Sequence, residues 1–357
     1  YVTRNDSSVI AFCIGTELSD YSFHISASHS DYPTFKIKEH AELEVKSKYI
    51  QLNTEGYGGM ICSTWFDRPL SVAGRVVVKE NDRFITKLVD IDRDLVVIPS
   101  LAIHMNRSVN DGCALNKQVD TLPLFGGTGI RKGDFKKLIA GELNVKEESI
   151  YGMDLYLYNR MKPSVWGANK EYISCPQLDD LQCAYTSLQG FLKGTGLHGV
   201  NVFACFDNEE VGSGTKQGAA STFLYDTLYR ANLCLGKGEE GFFRAASKGF
   251  MLSCDNAHAV HPNHPDKTDV GNCVYMNEGI VVKSHAGQKY TTDAVSIAMF
   301  RGICEAAGVP LQFFSNRSDM AGGSTLGNIA MSQVSMNSID IGLAQLAMHS
   351  AYETAGV

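Results

Sequence analysis

From about residue 172 onward, short apolar strands alternate with helices of roughly ten to twenty residues. The predicted strands are Asn201–Phe206, Phe250–Cys254, Ile280–Val282, Gln312–Phe314 and Ser338–Ile341. The predicted helices are Asp179–Lys193, Gly218–Cys234, Thr292–Gly308 and Leu343–Thr354. This alternation is typical of βαβ units, which build a mainly parallel sheet. We therefore expect an α/β domain with its ligand crevice at the carboxyl ends of the strands.

The first half of the chain has a different pattern. Three short alternating strands are predicted before residue 40, and a β-rich block with a helix at Pro99–Asn106 and another at Lys132–Leu143 follows. A length of 357 residues suggests two domains. We expect residues 1–40 and 171–357 to form the α/β domain, and residues 41–170 to form a β-rich domain inserted into it.

Composition excludes several classes of protein. The net charge is −7, and the few Lys/Arg clusters are short and mixed with acids, so we expect no nucleic-acid partner. No window of the chain is apolar enough for a membrane span, so we expect no membrane partner. The ten cysteines are scattered and include no Cys-x-x-Cys pair, a pattern that favours reduced thiols and the cytoplasm.

Metal-ligating residue types stand where the predicted strands end. His29 and Asp31 follow the strand Tyr21–Ala27 with a spacing of two, which puts both side chains on one face. The histidine could then bind a metal through one ring nitrogen while the carboxylate orients the other nitrogen. A simple surface pair is the alternative.

Two acidic pairs follow further along the chain. Asp179 and Asp180 stand at the start of a predicted helix, where an aspartate can cap the helix or bridge two cations. Glu209 and Glu210 come directly after an apolar strand and before a glycine-rich segment. One of these two glutamates could bind a metal while the other acts on a bound water; a solvated loop is the alternative.

Asp255 ends the apolar strand Phe250–Cys254, and His349 lies on the predicted last helix. A lone helical histidine is most often structural, so the role of His349 depends on the other residues. Together, two histidines, three carboxylates and a further glutamate are what two zinc ions about 3.5–4 Å apart require.

At these residues the sequence resembles the M18 metallopeptidases, the aspartyl aminopeptidase family, over essentially the whole chain. The segments that carry the resemblance are Ser28–Asp31, Thr64–Arg68, Ile98–His104, Leu178–Asp179, Asp207–Ser213, Asp255–Asn263 and Leu346–Ser350. The resemblance implies a zinc-peptidase-type α/β/α sandwich with an inserted β-rich dimerisation domain, and an enzyme that removes N-terminal residues from peptides.

The resemblance also implies a role for each ligand. Asp179 would bridge two zinc ions, with His29 and Asp255 completing one site and Glu210 and His349 the other. Glu209 would be the general base, and Asp31 would orient His29. Such carboxylate-rich sites also accept Co²⁺ or Mn²⁺.

Three further residues match family positions outside the metal ligands. His104 matches a histidine that the inserted domain lends to a neighbouring subunit, where it would stabilise the oxyanion. Lys283 matches a lysine that favours N-terminal Asp or Glu, and Tyr290 matches a substrate-contacting tyrosine. The family forms homo-oligomers, from dimers to tetrahedral dodecamers, so we expect a homo-oligomer here.

Departures from the family leave alternatives open. The segment Asp319–Ala321 could change the substrate pocket, so a preference for neutral N-terminal residues is the first alternative. A related co-catalytic zinc carboxypeptidase or deacylase is the second, and a metal-binding or shell protein without activity is the third. Relative to the family, we expect segments before Tyr1 and after Val357, and a loop near residues 125–128, to be absent.

Overall fold

We describe a computed structural model that covers residues 1–194 and 196–357. Its strands are β1 Val2–Arg4, β2 Ser8–Ile14, β3 Phe23–His29, β4 Thr34–Val45, β5 Tyr49–Tyr57, β6 Leu70–Glu80, β7 Arg83–Asp90, β8 Leu124–Gly126, β9 Ile150–Asn159, β10 Ser164–Trp166, β11 Tyr172–Cys175, β12 Val200–Phe206, β13 Phe250–Cys254, β14 Ala257–His258, β15 Ile280–Ser284, β16 Leu311–Ser315, β17 Asn337–Gly342, β18 Ala344–Leu346 and β19 Glu353–Gly356. Its helices are α1 Asp134–Glu142, α2 Leu178–Lys193, α3 Phe223–Cys234, α4 Glu239–Ser247, α5 Ala294–Ala307 and α6 Leu326–Ala330.

The chain divides into two compact units. The first unit comprises residues 1–32, 164–348 and 353–357, and the second comprises residues 33–163 and 349–352. Both units are discontinuous in sequence: residues 33–163 interrupt the first unit, and the short segment 349–352 near the chain end belongs to the second.

The first unit is built on an eight-stranded sheet with the order β1-β2-β12-β3-β13-β17-β15-β16. Strands β12, β3, β13 and β17 run parallel, whereas β15 is antiparallel to β17. Helices α3, α4 and α6 pack on one face of this sheet, and α2 and α5 pack on the other. The expected α/β/α layering is therefore present, and apolar side chains fill both interfaces.

Local sequence explains how the elements of this unit begin and end. Helix α5 starts at a capping box, in which Asp293 and Ser296 each accept a hydrogen bond from the other's backbone amide. It ends at Gly308, whose φ of 65° suits a residue without a side chain. A second sheet of this unit has the order β10-β11-β19-β18-β14.

The second unit is an antiparallel sheet of six strands, in the order β7-β6-β9-β4-β5-β8, together with α1. Phe35 and Trp65 are fully buried in this unit, with ring centroids 5.4 Å apart in an edge-to-face arrangement. The expected β-rich character of this part of the chain is confirmed by its strands.

Two predicted helices are wrong. The segment 99–106 contains only a 3₁₀ turn at Ile103–Met105. The predicted helix Leu343–Thr354 is instead the two strands β18 and β19, joined by a turn in which Ala347 and His349 have positive φ. Apolar residues at helical spacing misled the prediction, although β18 and β19 pair with each other as a hairpin.

None of the helices in the described ranges is both long and apolar enough to cross a membrane.

Candidate metal centre

The strand register brings the candidate ligands of the first unit to one edge of the large sheet. Phe206, the last residue of β12, pairs with His29, the last residue of β3. Strand β13 lies parallel on the other side of β3, and Asp255 follows its last residue directly. Because parallel strands end at the same edge, residues far apart in sequence meet there.

His29 is buried, and its ring is oriented by Asp31. The Nδ1 atom lies 3.0 Å from the backbone oxygen of Asp31 and 3.4 Å from a carboxylate oxygen of the same residue. Both neighbours are acceptors, so in the neutral ring Nδ1 would carry the proton and Nε2 would have its lone pair available for a metal. Nε2 lies 3.7 Å from Oδ1 of Asp179. The backbone oxygen is thus the nearer acceptor, not the carboxylate that the sequence suggested.

The carboxylate of Asp31 also contacts the turn that carries Glu209 and Glu210. Its two oxygens accept hydrogen bonds from the backbone amides of Glu209 and Glu210, at 3.0 and 3.1 Å. Asp31 therefore fixes the turn that carries both glutamates, a role that the spacing from His29 to Asp31 did not reveal.

Asp179 lies at the start of α2, where neither it nor Asp180 has helical backbone angles. Three contacts hold this segment. The buried Glu353 accepts a hydrogen bond from the amide of Asp179 at 2.9 Å, Asp180 accepts one from the amide of His29 at 3.2 Å, and Asn256 donates one to the backbone oxygen of Leu178 at 3.0 Å. Sequence reasoning missed Glu353, because it is 174 residues away from Asp179 and no local spacing links them.

Ligand atoms of His29, Asp179 and Asp255 all lie within 4.8 Å of one another. The same limit holds for His29, Glu209 and Glu210. An imidazole nitrogen together with carboxylate oxygens is a donor set that Zn²⁺ accepts. These residues therefore fit a metal centre.

Charge supports this fit. Asp179, Asp180 and Asp255 are all buried at this edge, with exposures of 3%, 0% and 8%. Burial raises the pKa of Asp180 and of Asp255, and His29 and Lys283 only partly oppose the two shifts. Carboxylates buried so closely are costly unless cations balance them.

Glu209 has the pKa of a candidate base. Burial, together with the nearby charge of Asp255, raises the pKa of Glu209 to about 7. Burial alone would lower the pKa of His29, but its hydrogen bond to Asp31 and the charge of Asp180 outweigh that effect, so its pKa lies well above the usual value. Groups shifted in this way cluster at functional sites.

Lys283 and Tyr290, the candidate substrate residues, are buried side by side, with the ammonium 5.3 Å from the centre of the tyrosine ring. The Lys283 ammonium donates to the backbone oxygens of Asp255 and Asn256, at 2.7 and 3.3 Å, and lies 3.8 Å from a carboxylate oxygen of Asp255. Burial alone would lower the pKa of Lys283, but Asp255 and Asp340 raise it further than burial lowers it. Lys283 is therefore a buried cation attached to a candidate metal ligand.

His104 and His349 belong to the second unit. His104 is exposed in the 3₁₀ turn Ile103–Met105. His349 lies in a turn, with Nδ1 2.7 Å from the backbone oxygen of Gly59. The roles expected for both histidines stay predictions.

The fold and the site together define a metallohydrolase of the aminopeptidase type. The family model described as aminopeptidase I zinc metalloprotease (M18) matches residues 1–357. A probable M18 family aminopeptidase 2 of Clostridium acetobutylicum is 48% identical over 362 residues, which cover 100% of this chain and 84% of that protein. The chain belongs to the M18 family.

Solved structures are similar as well. A chain in the cryo-EM structure of the Ape4 and Nbr1 complex superposes with a TM-score of 0.93 at 36% identity, covering 99% of this chain and 72% of that one. A chain in the structure of the S. cerevisiae mApe1 dodecamer gives a TM-score of 0.82 at 25% identity, covering 99% and 80%. The predicted family, fold class and enzyme class are thereby confirmed.

Proposed function

We propose that this chain is a two-zinc aminopeptidase that removes N-terminal residues, preferentially Asp and Glu, from peptides. The observation that carries the proposal is the buried group of His29, Asp179 and Asp255, with Glu209 and Glu210 beside it on a turn that Asp31 holds.

In this proposal His29, Asp179 and Asp255 would hold one ion. Asp179 would also serve a second ion, for which Glu210 and His349 would be the other ligands; the parts of Glu210 and His349 at that ion follow the sequence resemblance. Bound zinc supplies Lewis acidity and lowers the pKa of water. Co²⁺ or Mn²⁺ would suit the same donors.

Glu209 is the proposed general base. Asp31 fixes its backbone, and a group with a pKa near 7 both accepts and releases a proton readily at neutral pH. Cations beside it would favour its carboxylate form. Glu209 then accepts the proton of the attacking water and delivers it to the leaving amine.

The acidic preference rests on Lys283 and Tyr290. A buried cation next to a candidate metal ligand would attract a negatively charged N-terminal side chain. One observation favours the second candidate, an aminopeptidase that prefers neutral residues: the Lys283 ammonium already donates to two backbone oxygens and faces the Asp255 carboxylate, so part of its charge is compensated.

We further propose a homo-oligomer in which the β-rich unit mediates dimerisation and lends His104 to a neighbouring active site, in an assembly as large as a dodecamer. The structure of the S. cerevisiae mApe1 dodecamer supports a large assembly in this family. The cytoplasm is the proposed location, because all ten cysteines have free thiols.

The test is hydrolysis of matched peptides that begin with Asp, Glu, Leu or Lys, by the zinc-loaded protein, with and without a chelator. Faster, chelator-sensitive release of Asp and Glu supports the proposal. Faster release of Leu supports the neutral preference. An N-acetylated Asp peptide is the control: its cleavage would indicate a deacylase or carboxypeptidase and would contradict an aminopeptidase.

A further inference from the structure

Asp340, on β17, is a fully buried carboxylate outside the candidate metal ligands. Its two oxygens accept three side-chain or backbone hydrogen bonds, and all three come from two loops near the proposed substrate pocket. Neither loop has the backbone hydrogen bonds of a helix or strand, so the hydrogen bonds to Asp340 restrict the positions of both loops.

The first loop carries Tyr290. The backbone amide and the hydroxyl of Thr291 donate to Oδ2 of Asp340, at 2.5 and 2.8 Å. The hydroxyl of Thr292 accepts a hydrogen bond from the amide of Asp340 at 3.0 Å. Because the amide of Thr291 belongs to the peptide bond that follows Tyr290, these contacts fix the backbone on the carboxyl side of the tyrosine.

The second loop is the glycine-rich segment 318–324, which ends at the buried Thr325. The hydroxyl of Thr325 donates to Oδ1 of Asp340 at 2.6 Å. A direct link joins the two loops, because the Lys289 ammonium donates to the backbone oxygen of Gly322 at 2.7 Å. Asp340 and Lys289 thus connect the same two loops at two points.

The pocket residues lie on the same network. The Tyr290 ring packs against the Lys283 ammonium, which is hydrogen-bonded to the backbone of Asp255. A shift of the Tyr290 loop would therefore change the pocket wall next to a candidate metal ligand. Glu209 is held separately by Asp31, so the base would stay in place.

We propose that Asp340 is a positioning residue for substrate binding, which fixes the Tyr290 loop and the glycine-rich loop relative to each other and so preforms the pocket for the N-terminal residue of the peptide. This inference rests on the proposed function, because it takes Tyr290 as a substrate contact. A preformed pocket spares the peptide the cost of ordering these loops on binding.

Thr325→Val tests the proposal, because it removes one hydroxyl at nearly constant volume and leaves Asp340 in place. We expect KM for the best-cleaved peptide to rise about tenfold while kcat stays within about twofold. Thr325→Ser keeps the hydroxyl and should restore the wild-type KM. Thr227→Val is the matched control, since it removes another buried threonine hydroxyl, which donates to Phe223 within α3.

Hydrogen exchange of residues 286–293 and 318–324 gives a readout that needs no activity. We expect both loops to exchange faster in Thr325→Val than in the wild type, and to exchange at the wild-type rate in Thr227→Val. An unchanged KM in Thr325→Val, with or without faster exchange, would overturn the proposal, as would an equal KM rise in the control. This test does not depend on the acidic preference, because KM is measured with whichever peptide is cleaved best. A preference for Leu over Asp would contradict the proposed acidic specificity, but the role of Asp340 would still be tested.

Discussion

Carboxylates are used in opposite ways in the two units. Asp154, in the second unit, is half-buried and receives hydrogen bonds from Lys36 and Arg75, each at 2.9 Å. Burial raises the pKa of Asp154, but the two cations outweigh it, so the net pKa is lowered. In the first unit, burial raises the pKa of Glu209 to about 7.

The difference separates carboxylates that are stabilised by cations of the protein itself from carboxylates that bound cations would stabilise. Asp154 has its counter-charges on neighbouring strands and is complete without a ligand. The acids around His29 are buried together, with Lys283 as the nearby ammonium, so bound cations would stabilise them. The following predictions test this contrast, from the largest expected effect to the smallest.

The largest effect is expected for Glu209→Gln. Removal of the general base should lower kcat by roughly 10²–10⁴-fold, because proton transfer contributes that much in comparable enzymes. Peptide hydrolysis measures the loss, and elemental analysis should show unchanged zinc content. The exposed Glu240→Gln is the control and should keep full activity. Undiminished hydrolysis by a zinc-loaded Glu209→Gln variant would contradict the assignment.

Asp31→Asn should lower activity by about 10–100-fold, in the range seen when partners of metal ligands are changed. Asp31 accepts hydrogen bonds from two backbone N–H groups, one on each carboxylate oxygen. The side-chain NH₂ of asparagine would face one of these N–H groups and cannot accept from it, so the turn that carries Glu209 and Glu210 would lose a hydrogen bond. Steady-state kinetics and zinc affinity check this. Asp154→Asn provides the contrast and should leave both unchanged; equal losses in the two variants would remove the distinction between them.

Zinc should stabilise the metal-stripped protein. Ligand at about one hundred times its dissociation constant adds about 2.7 kcal/mol of stability, so differential scanning calorimetry should show a clear rise in melting temperature. Asp255→Asn, which removes a proposed ligand, should reduce that rise, whereas Asp154→Asn should not. A rise of the same size in all variants would indicate that zinc binds elsewhere.

The smallest effect concerns Asp154 itself. Its pKa is lowered in the folded state, so its ion pairs add stability above the unfolded pKa of about 3.9, and that stability is lost as the pH falls through the folded value. After discounting for solvent screening, the contribution is about 0.2–1 kcal/mol. Asp154→Asn should therefore melt slightly earlier than the wild type at pH 7 and equally at very low pH. A difference that grew towards acid would contradict the sign.

Much of the large sheet could be predicted from sequence, because its buried strands are short apolar runs followed by polar residues. Strands β12 and β13 appear where the pattern placed them, and each leads into a candidate ligand. The segment 343–354 shows the limit of such patterns: its apolar spacing suggested a helix, yet pairing between β18 and β19 decided its structure.

The candidate ligands of the site could be predicted from sequence, but the hydrogen bonds that position them could not. His29, Asp179 and Asp255 stand out as acids and a histidine near strand or helix ends. The contacts that hold the site are long-range. Glu353 accepts a hydrogen bond from the amide of Asp179, and Asp340 accepts hydrogen bonds from the two loops near the proposed substrate pocket; both contacts join residues that only the folded chain brings together. Spacing along the chain carries no information on such pairs.

The most direct test of the central claim is a zinc titration of the chelator-stripped protein, with bound zinc and release of N-terminal Asp measured in the same samples. We predict that the stripped protein is inactive and that activity returns in step with zinc, reaching its maximum at two ions per chain. Full activity in protein shown to hold no metal would contradict the claim that the buried acids around His29 are the metal centre of this aminopeptidase.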